Sequence, residues 1–192
     1  MGPQRTMNKI SEKHAGDFVG SSINKIDSKN RVCIPSDFME TLQTYYKDEG
    51  DVLMVFITLD FCIGVAPPSS YWQLLRRLGE DEYDPLNHEL RGLLSVIRGN
   101  TYKVQLDNQN RIRLKDDLLM MTGIKKSEES RVSSAKGRKG SSNPEVYIKG
   151  QGNIIEIWDK DKWQEHCIQN FTRFGSGTGK VSRTQNTEKG GD

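Results

Sequence analysis

Ile26-Asp-Ser-Lys-Asn-Arg-Val-Cys-Ile-Pro-Ser-Asp-Phe38 returns, further along the chain, as Leu106-Asp-Asn-Gln-Asn-Arg-Ile-Arg-Leu-Lys-Asp-Asp-Leu118. Four positions are identical: Asp27/Asp107, Asn30/Asn110, Arg31/Arg111 and Asp37/Asp117. Four more exchange one apolar residue for another, with Ile26, Val32, Ile34 and Phe38 standing against Leu106, Ile112, Leu114 and Leu118. The identities fall on a turn and on the helix cap after it, and the apolar exchanges fall on one face. That sorting marks a duplicated unit.

Outward from this stretch, alternation begins at Phe18. Ile23 and Ile26 on one side of Asp27-Ser28-Lys29-Asn30, and Val32 and Ile34 on the other, predict two short strands joined by a tight turn. Asn30 is the turn residue most tolerant of a positive φ. Pro35-Ser36-Asp37 ends the strand and offers a helix cap, and Phe38, Leu42 and Tyr45 or Tyr46 follow at helical spacing. Val52–Thr58 and Phe61–Val65 read as a second strand pair. Pro67-Pro68-Ser69 then leads into a helix with Trp72, Leu75 and Leu78. Asp84 to Arg98 is an amphipathic helix whose stripe is Leu86, Leu90, Leu93, Leu94 and Ile97, most simply a core-packing face. Further on, Val55–Gln73 matches Val146–Gln164, so the offset between the copies grows from 80 to 91. The extra residues belong in Lys125–Pro144, a Ser/Gly/Lys/Arg stretch without periodicity that reads as a mobile basic insertion.

Composition bounds the class. Of 192 residues 34% are apolar and the mean hydropathy is −0.70, thin for one large core. Part of the chain is therefore expected to be loose or buried by partner subunits. The net charge of +2 divides unevenly: +4 in residues 125–144, +2 in 171–192 and +2 in 1–16, which leaves the rest at −6. Nucleic-acid contact must then come from local patches rather than a general basic surface. Cys33, Cys62 and Cys167 are odd in number and far apart, which favours small buried thiols over a disulfide framework or zinc site. No apolar run approaches a membrane span, and the polar start, Met1 to Gly16, lacks a signal core, so a cytoplasmic protein is expected.

An Asp four residues before an Arg across a turn can accept turn amide hydrogens and pair with the guanidinium. One reading is a turn clamp. The other is a held, planar donor aimed at phosphate or guanine, and the return of the Arg in both copies favours it. Lys25 and Lys29 add charge in the first copy, Lys103 and Arg113 in the second. Catalysis finds little support. His14, His88 and His166 have no metal-like partner or nucleophile nearby and read as surface residues. No phosphate-binding loop occurs, and Gly150-Gln-Gly-Asn153 reads as a hairpin turn. Trp158 and Trp163 sit in apolar patterns and read as core anchors rather than stacking platforms. No cofactor or metal is expected.

Phe18-Val-Gly20, Asp27-Ser-Lys-Asn-Arg31 through Pro35, Leu106-Asp-Asn-Gln-Asn-Arg111, and Gly152-Asn-Ile-Ile-Glu-Ile-Trp158 through Trp163 resemble the MraZ family in combination and order, over about Asp17 to Asn170. The resemblance implies an α+β fold of tandem SpoVT/AbrB-like swapped-hairpin β-barrel units forming a pseudo-dimer within one chain, with short helices. The implied layout is a disordered extension at 1–16, unit 1 at 17–79, a linking helix at 80–99, unit 2 at 100–170 and a disordered tail at 171–192. It further implies a homo-oligomeric ring in the cytoplasm, at the nucleoid. That ring would regulate transcription by binding short direct repeats in double-stranded DNA upstream of its own cell-division and cell-wall gene cluster, with no small-molecule substrate and no membrane. The DNA-facing residues carried over are Asp27, Lys29, Arg31, Asp107 and Arg111; Arg113 joins them through its charge beside the second motif. Three departures stand out. Asn30 and Asn110 replace a usual Gly, Lys115 replaces a Pro, which would loosen that strand end, and Gln109 stands where a Lys is common. The first turn, which keeps Lys29 and Pro35, is expected to be the stronger contact. The rivals are an antitoxin-like protein-binding module of related fold and an enzyme. The first is disfavoured by two units and a tail poor in apolar anchors, the second by the missing catalytic cluster.

Overall fold

A computed structural model describes residues 14–79, 87–124 and 143–175. The basic insertion (all but its last two residues), the start of the expected linking helix and both chain ends lie outside these. Residues up to Lys160 form one compact unit and those from Asp161 a second.

In the first unit the chain runs β1 (Ser21–Lys25), β2 (Arg31–Cys33), α1 (Ser36–Tyr45), a 3-10 turn (Lys47–Glu49), β3 (Val52–Ile57), β4 (Ile63–Ala66), α2 (Pro68–Arg77), α3 (His88–Gly99), β5 (Tyr102–Gln105), β6 (Arg111–Arg113), α4 (Asp116–Met121), β7 (Glu145–Gln151) and β8 (Ile154–Asp159). Six strands form one antiparallel sheet in the order β1-β7-β8-β4-β3-β5, and β2 pairs with β6 alone. Exchanging the two copies (β1 for β5, β3 for β7, β4 for β8) reverses that order and leaves it unchanged. Each copy's first strand pairs with the third strand of the other: Ser22 faces Ile148, and Tyr102 faces Val55. The copies meet in the middle, where Gly64 faces Glu156.

The expected barrel does not close. β2 and β6 pair only with each other, so among the described residues no strand bridges the sheet edges β1 and β5. The strand pairing also revises the repeat alignment. Val55 is equivalent to Ile148 and Gly64 to Glu156, offsets of 93 and 92 rather than 91, and the step between the two reflects a second hairpin turn one residue shorter.

Buried side chains fall into two groups. Ile26, Val32, Ile34, Phe38, Ile112, Leu114 and Leu118 join Leu53, Val55, Ile148 and Ile157 on one face of the sheet. Met54 and Phe56 point to the other face, against Tyr71 and Leu75 of α2 and Leu94 and Ile97 of α3. The central strands are thus covered on both sides, which explains their unbroken apolar runs. The stripe on α3 packs as core, with Leu90 and Leu93 partly buried beside it. Leu86 falls outside the described residues. Ile23 is 54% exposed, while Asn24, its neighbour on the other side of β1, donates its side-chain amide to the Cys33 carbonyl at 2.9 Å.

Helix starts also depart from expectation. Pro35 and Lys115 are the N-cap residues of α1 and α4, and no side chain caps either helix. Asp37, Asp116 and Asp117 lie instead in the first turns, where they oppose the positive end of the helix dipole. Lys115 does not loosen the strand end. Its N–H donates to the Tyr102 hydroxyl at 3.0 Å, a bond proline could not make, and its ammonium lies 4.5 Å from the Tyr102 ring centre.

Trp158 is a core anchor, buried and donating its indole N–H to Glu156 at 2.9 Å. Trp163 is not. It is half-buried on α5 (Lys160–Gly175) and stacks on His166. This helix, the described part of the second unit, continues through residues 171–175, where a loose tail was expected. Of the cysteines only Cys62 is buried, and burial pushes its thiol pKa up; Cys33 is exposed and Cys167 half-buried.

Candidate nucleic-acid interface

The duplicated turns have nearly the same geometry. Asp27 accepts, through Oδ1, the backbone N–H of Lys29 and of Arg31, both at 2.9 Å. Its Oδ2 receives Arg31 Nε at 2.8 Å and Nη2 at 2.7 Å. Asp107 repeats this with the N–H of Gln109 at 2.9 Å and of Arg111 at 3.0 Å, and with Arg111 Nε and Nη2 at 2.8 and 2.7 Å. Both turns close through backbone bonds from Asn30 N–H to the Asp27 carbonyl and from Asn110 N–H to the Asp107 carbonyl, each 2.9 Å. Asn30 and Asn110 take φ of 59° and 56°, the left-handed conformation that asparagine tolerates better than other side-chain-bearing residues. The turn-clamp reading is therefore structurally correct. It also fixes the direction of each guanidinium, because one edge of the fork is held by the carboxylate.

Strands β2 and β6 bring the two turns together. Val32 faces Ile112 across the ladder, and both are fully buried. With side chains alternating, Arg31 and Cys33 of β2 and Arg111 and Arg113 of β6 stand on the outward face, Arg31 beside Arg113 and Cys33 beside Arg111. Each strand end is tied to the other turn, since Ile34 N–H donates to the Asn110 carbonyl and Leu114 N–H to the Asn30 carbonyl, both at 2.8 Å. Arg31 Nη1 lies 3.9 Å from Asp107 Oδ2, so the two Asp–Arg pairs form one cluster.

Six residues expected at the interface, Asp27, Lys29, Arg31, Asp107, Arg111 and Arg113, therefore share one region of the surface. Two other basic residues do not join them. Tyr102 and Val104 pack toward the β2–β6 layer, so the alternation of β5 sends Lys103 to the opposite face. Lys25 is 3.9 Å from Glu145, which also holds Lys160 at 3.0 Å. Two residues of this region escaped the sequence reading. Cys33 occupies the place in copy one that Arg113 occupies in copy two, a fact readable from the repeat alignment. Tyr102 steadies β6, its hydroxyl donating to the Arg113 carbonyl at 3.4 Å while receiving the Lys115 N–H.

No protein-family model matches the chain. Among curated proteins it is similar to the transcriptional regulator MraZ of Clostridium acetobutylicum, with 29% identity over 152 residues, 78% of this chain and 86% of the relative. The MraZ regulators of Finegoldia magna and Syntrophobacter fumaroxidans are 27% and 26% identical, over 78% and 84% of this chain and 85% and 96% of theirs. Along most of its length the chain is similar to regulators of the MraZ family.

The electrostatics of this cluster follow from its hydrogen bonds. Bonding to the Arg31 side chain and backbone holds the Asp27 carboxyl at about 2, from an ordinary 3.8. The Arg111 side chain does the same for Asp107, also to about 2. Bonding to Asp107 raises Arg111 in turn. A depressed folded-state pKa stabilises the fold above the unfolded value, and that contribution fades as pH falls through the folded value. Asp27→Asn is thus expected to cost stability at pH 7, with the difference from the parent undiminished down to about pH 4 and shrinking toward pH 2. Urea unfolding at a series of pH values measures it. A pH-independent difference would mean that the carboxylate charge is not what holds the turn.

Proposed function

We propose that the chain is a DNA-binding transcriptional regulator in which the paired turns form the contact with duplex DNA. The observation that carries this reading is the β2–β6 pairing, which gathers Arg31, Arg111 and Arg113 on one outward face. Their guanidinium forks suit guanine edges and phosphates, with Asp27 and Asp107 fixing the aim of two of them and Lys29 adding a phosphate contact. The relatives carry the names of regulators, a non-enzymatic class. On this reading the exchange of first strands between the copies is the SpoVT/AbrB-type swapped hairpin, and residues 17–79 and 100–170 are its two units.

The finer proposals follow from the family resemblance. The regulator reads short direct repeats upstream of its own cell-division and cell-wall gene cluster, as a ring of identical subunits at the nucleoid. Ile168, Phe171 and Phe174 on α5 are at least two-thirds exposed, the kind of surface that subunit packing covers.

Arg31→Ala is the direct test. Loss of a bidentate base contact costs about 1–3 kcal/mol and relaxes preference at that position. Selection from a random duplex library, followed by affinity measurement on the recovered sites, reads both effects. If the variant recovers the same sites with unchanged affinity, Arg31 is not a base-reading residue.

A further inference from the structure

Gly64 of β4 and Glu156 of β8 face each other where the two copies meet, and they hold equivalent positions in the duplicated unit. Their hairpin partners are equivalent too, with Phe56 opposite Gly64 and Lys149 opposite Glu156. The copies fill this place with opposite chemistry. In the first, the missing Cβ of Gly64 lets the Phe56 ring lie over β4, since a Cβ would stand 2.5 Å from the ring. In the second, Glu156 Oε2 pairs with Lys149 Nζ at 2.9 Å and accepts the Trp158 indole N–H at 2.9 Å.

A cavity of about 150 Å3 opens on the Phe56 side, on the sheet face covered by α2 and α3. Phe56, Leu74, Ile97 and Ile154 give it an apolar wall, with Glu156 and the Thr58–Asp60 turn beside them. The Thr58 hydroxyl is engaged, 3.0 Å from the Cys62 thiol and accepting the Cys62 N–H at 3.3 Å. Glu156 is not fully engaged. Its side chain is only 8% exposed, and both of its partners sit on Oε2 and lie outside the cavity lining. Among the described residues no buried side-chain oxygen lacks a partner. Oε1, which receives no hydrogen bond from them, is therefore the atom open to the cavity.

We propose that this cavity binds a small ring compound carrying one uncharged O–H or N–H donor. The ring packs against Phe56, Leu74, Ile97 and Ile154, and the donor bonds Glu156 Oε1. Size sets the first half of that class, because an apolar cavity of about 150 Å3 accommodates a benzene-sized molecule. Charge sets the second half. Lys149 already balances the carboxylate, so the site asks for a hydrogen-bond donor rather than a cation, and the bond formed is charge-assisted. The site stands on the sheet face opposite the β2–β6 ribbon, and the inference does not depend on the DNA-binding reading.

The test titrates the full-length chain with phenol and, separately, with toluene, following the methyl resonances of Leu74, Ile97 and Ile154 by NMR. The two molecules have nearly the same shape. A purely apolar cavity prefers toluene, because phenol loses its hydroxyl hydration on entry. Here phenol is expected to bind about tenfold more tightly than toluene, through the bond to a charged acceptor. Leu74→Phe, which fills the cavity, is expected to weaken phenol by about tenfold or more. Lys149→Met combined with Glu156→Met replaces the ion pair with apolar side chains and is expected to reverse the order of the two compounds. Matched unfolding midpoints verify that the variants fold, and the parent's own preference decides the matter if they do not. Toluene binding the parent as tightly as phenol overturns the assigned class. Shifts confined to residues away from the cavity, or none with either compound at millimolar concentration, overturn the site.

Discussion

Gly150→Ala is expected to destabilise the fold by about 2–4 kcal/mol, although it adds a single methyl group. Gly150 sits in β7 opposite Ile155 and donates its N–H to the Gly20 carbonyl at 3.0 Å. A Cβ there would stand 2.1 Å from the Phe18 carbonyl oxygen, 2.3 Å from its carbon and 2.7 Å from Val19 N. These are backbone atoms, and no rotamer change moves them aside. Phe18 is itself fixed. Its N–H donates to the Gly152 carbonyl at 2.6 Å, and its ring lies edge-on to Phe38 and stacked on Tyr46. Relieving the clash unseats that aromatic group from the core. Gly92→Ala, within α3 and with open space around the added carbon, is expected to gain about 0.5–1 kcal/mol from helix propensity. Opposite shifts of the urea midpoint would verify the pair. A Gly150→Ala chain as stable as its parent would mean that Phe18 is not strapped across β7.

Ile112→Ala is expected to cost about 2–5 kcal/mol, the usual range for emptying a fully buried isoleucine site. The β2–β6 ribbon has only three residues in each strand, and two strands so short are not stable alone. Val32 and Ile112 fasten it to the core. The proposed contact face stands on the other side of the same ribbon, so this variant is also expected to lose DNA affinity under conditions where it remains folded. Combined with Val32→Ala, the losses should be non-additive, because the two side chains oppose each other on the ladder. An unchanged unfolding midpoint would show that the seam is not anchored through Ile112.

What the sequence disclosed was local. The turn needs a carboxylate to accept two amides, a left-handed residue and a guanidinium four places on, and each demand leaves its residue in both copies. Pairing across copies left no such trace. β1 and β5 meet their partners through backbone hydrogen bonds, and nothing in Ser21–Lys25 distinguishes β7 from β2 as a neighbour. Lys25 and Lys103 entered the expected basic patch by proximity along the chain, and strand alternation and Glu145 removed them. Cys33 looked like a buried thiol in an apolar strand, yet on a three-residue ribbon with one buried position its side chain had to face outward. The β3–β7 equivalence lies two residues from the one the apolar pattern suggests, because a shift of two leaves strand alternation unchanged.

The crossed pairing also sets an order of events during synthesis. Ser21 finds its ladder partner only at Lys149, and Ile63 finds its neighbour in β8 at Ile157. A ribosome adding about 5–20 residues per second releases the first copy well before those partners exist. β1 and one side of β4 therefore wait with unpaired backbone, and closing such distant contacts is slow. During that interval the β1 of one nascent chain can pair with the β7 of another on the same messenger. A fragment ending before β7 would leave β1 without a partner and β4 paired on one side only, so the two copies depend on each other to complete the sheet. The turn-bearing ribbon needs only residues up to Arg113, but the sheet beneath it is complete only when β8 has emerged. The proposed contact face therefore gains its full support only once β8 has emerged.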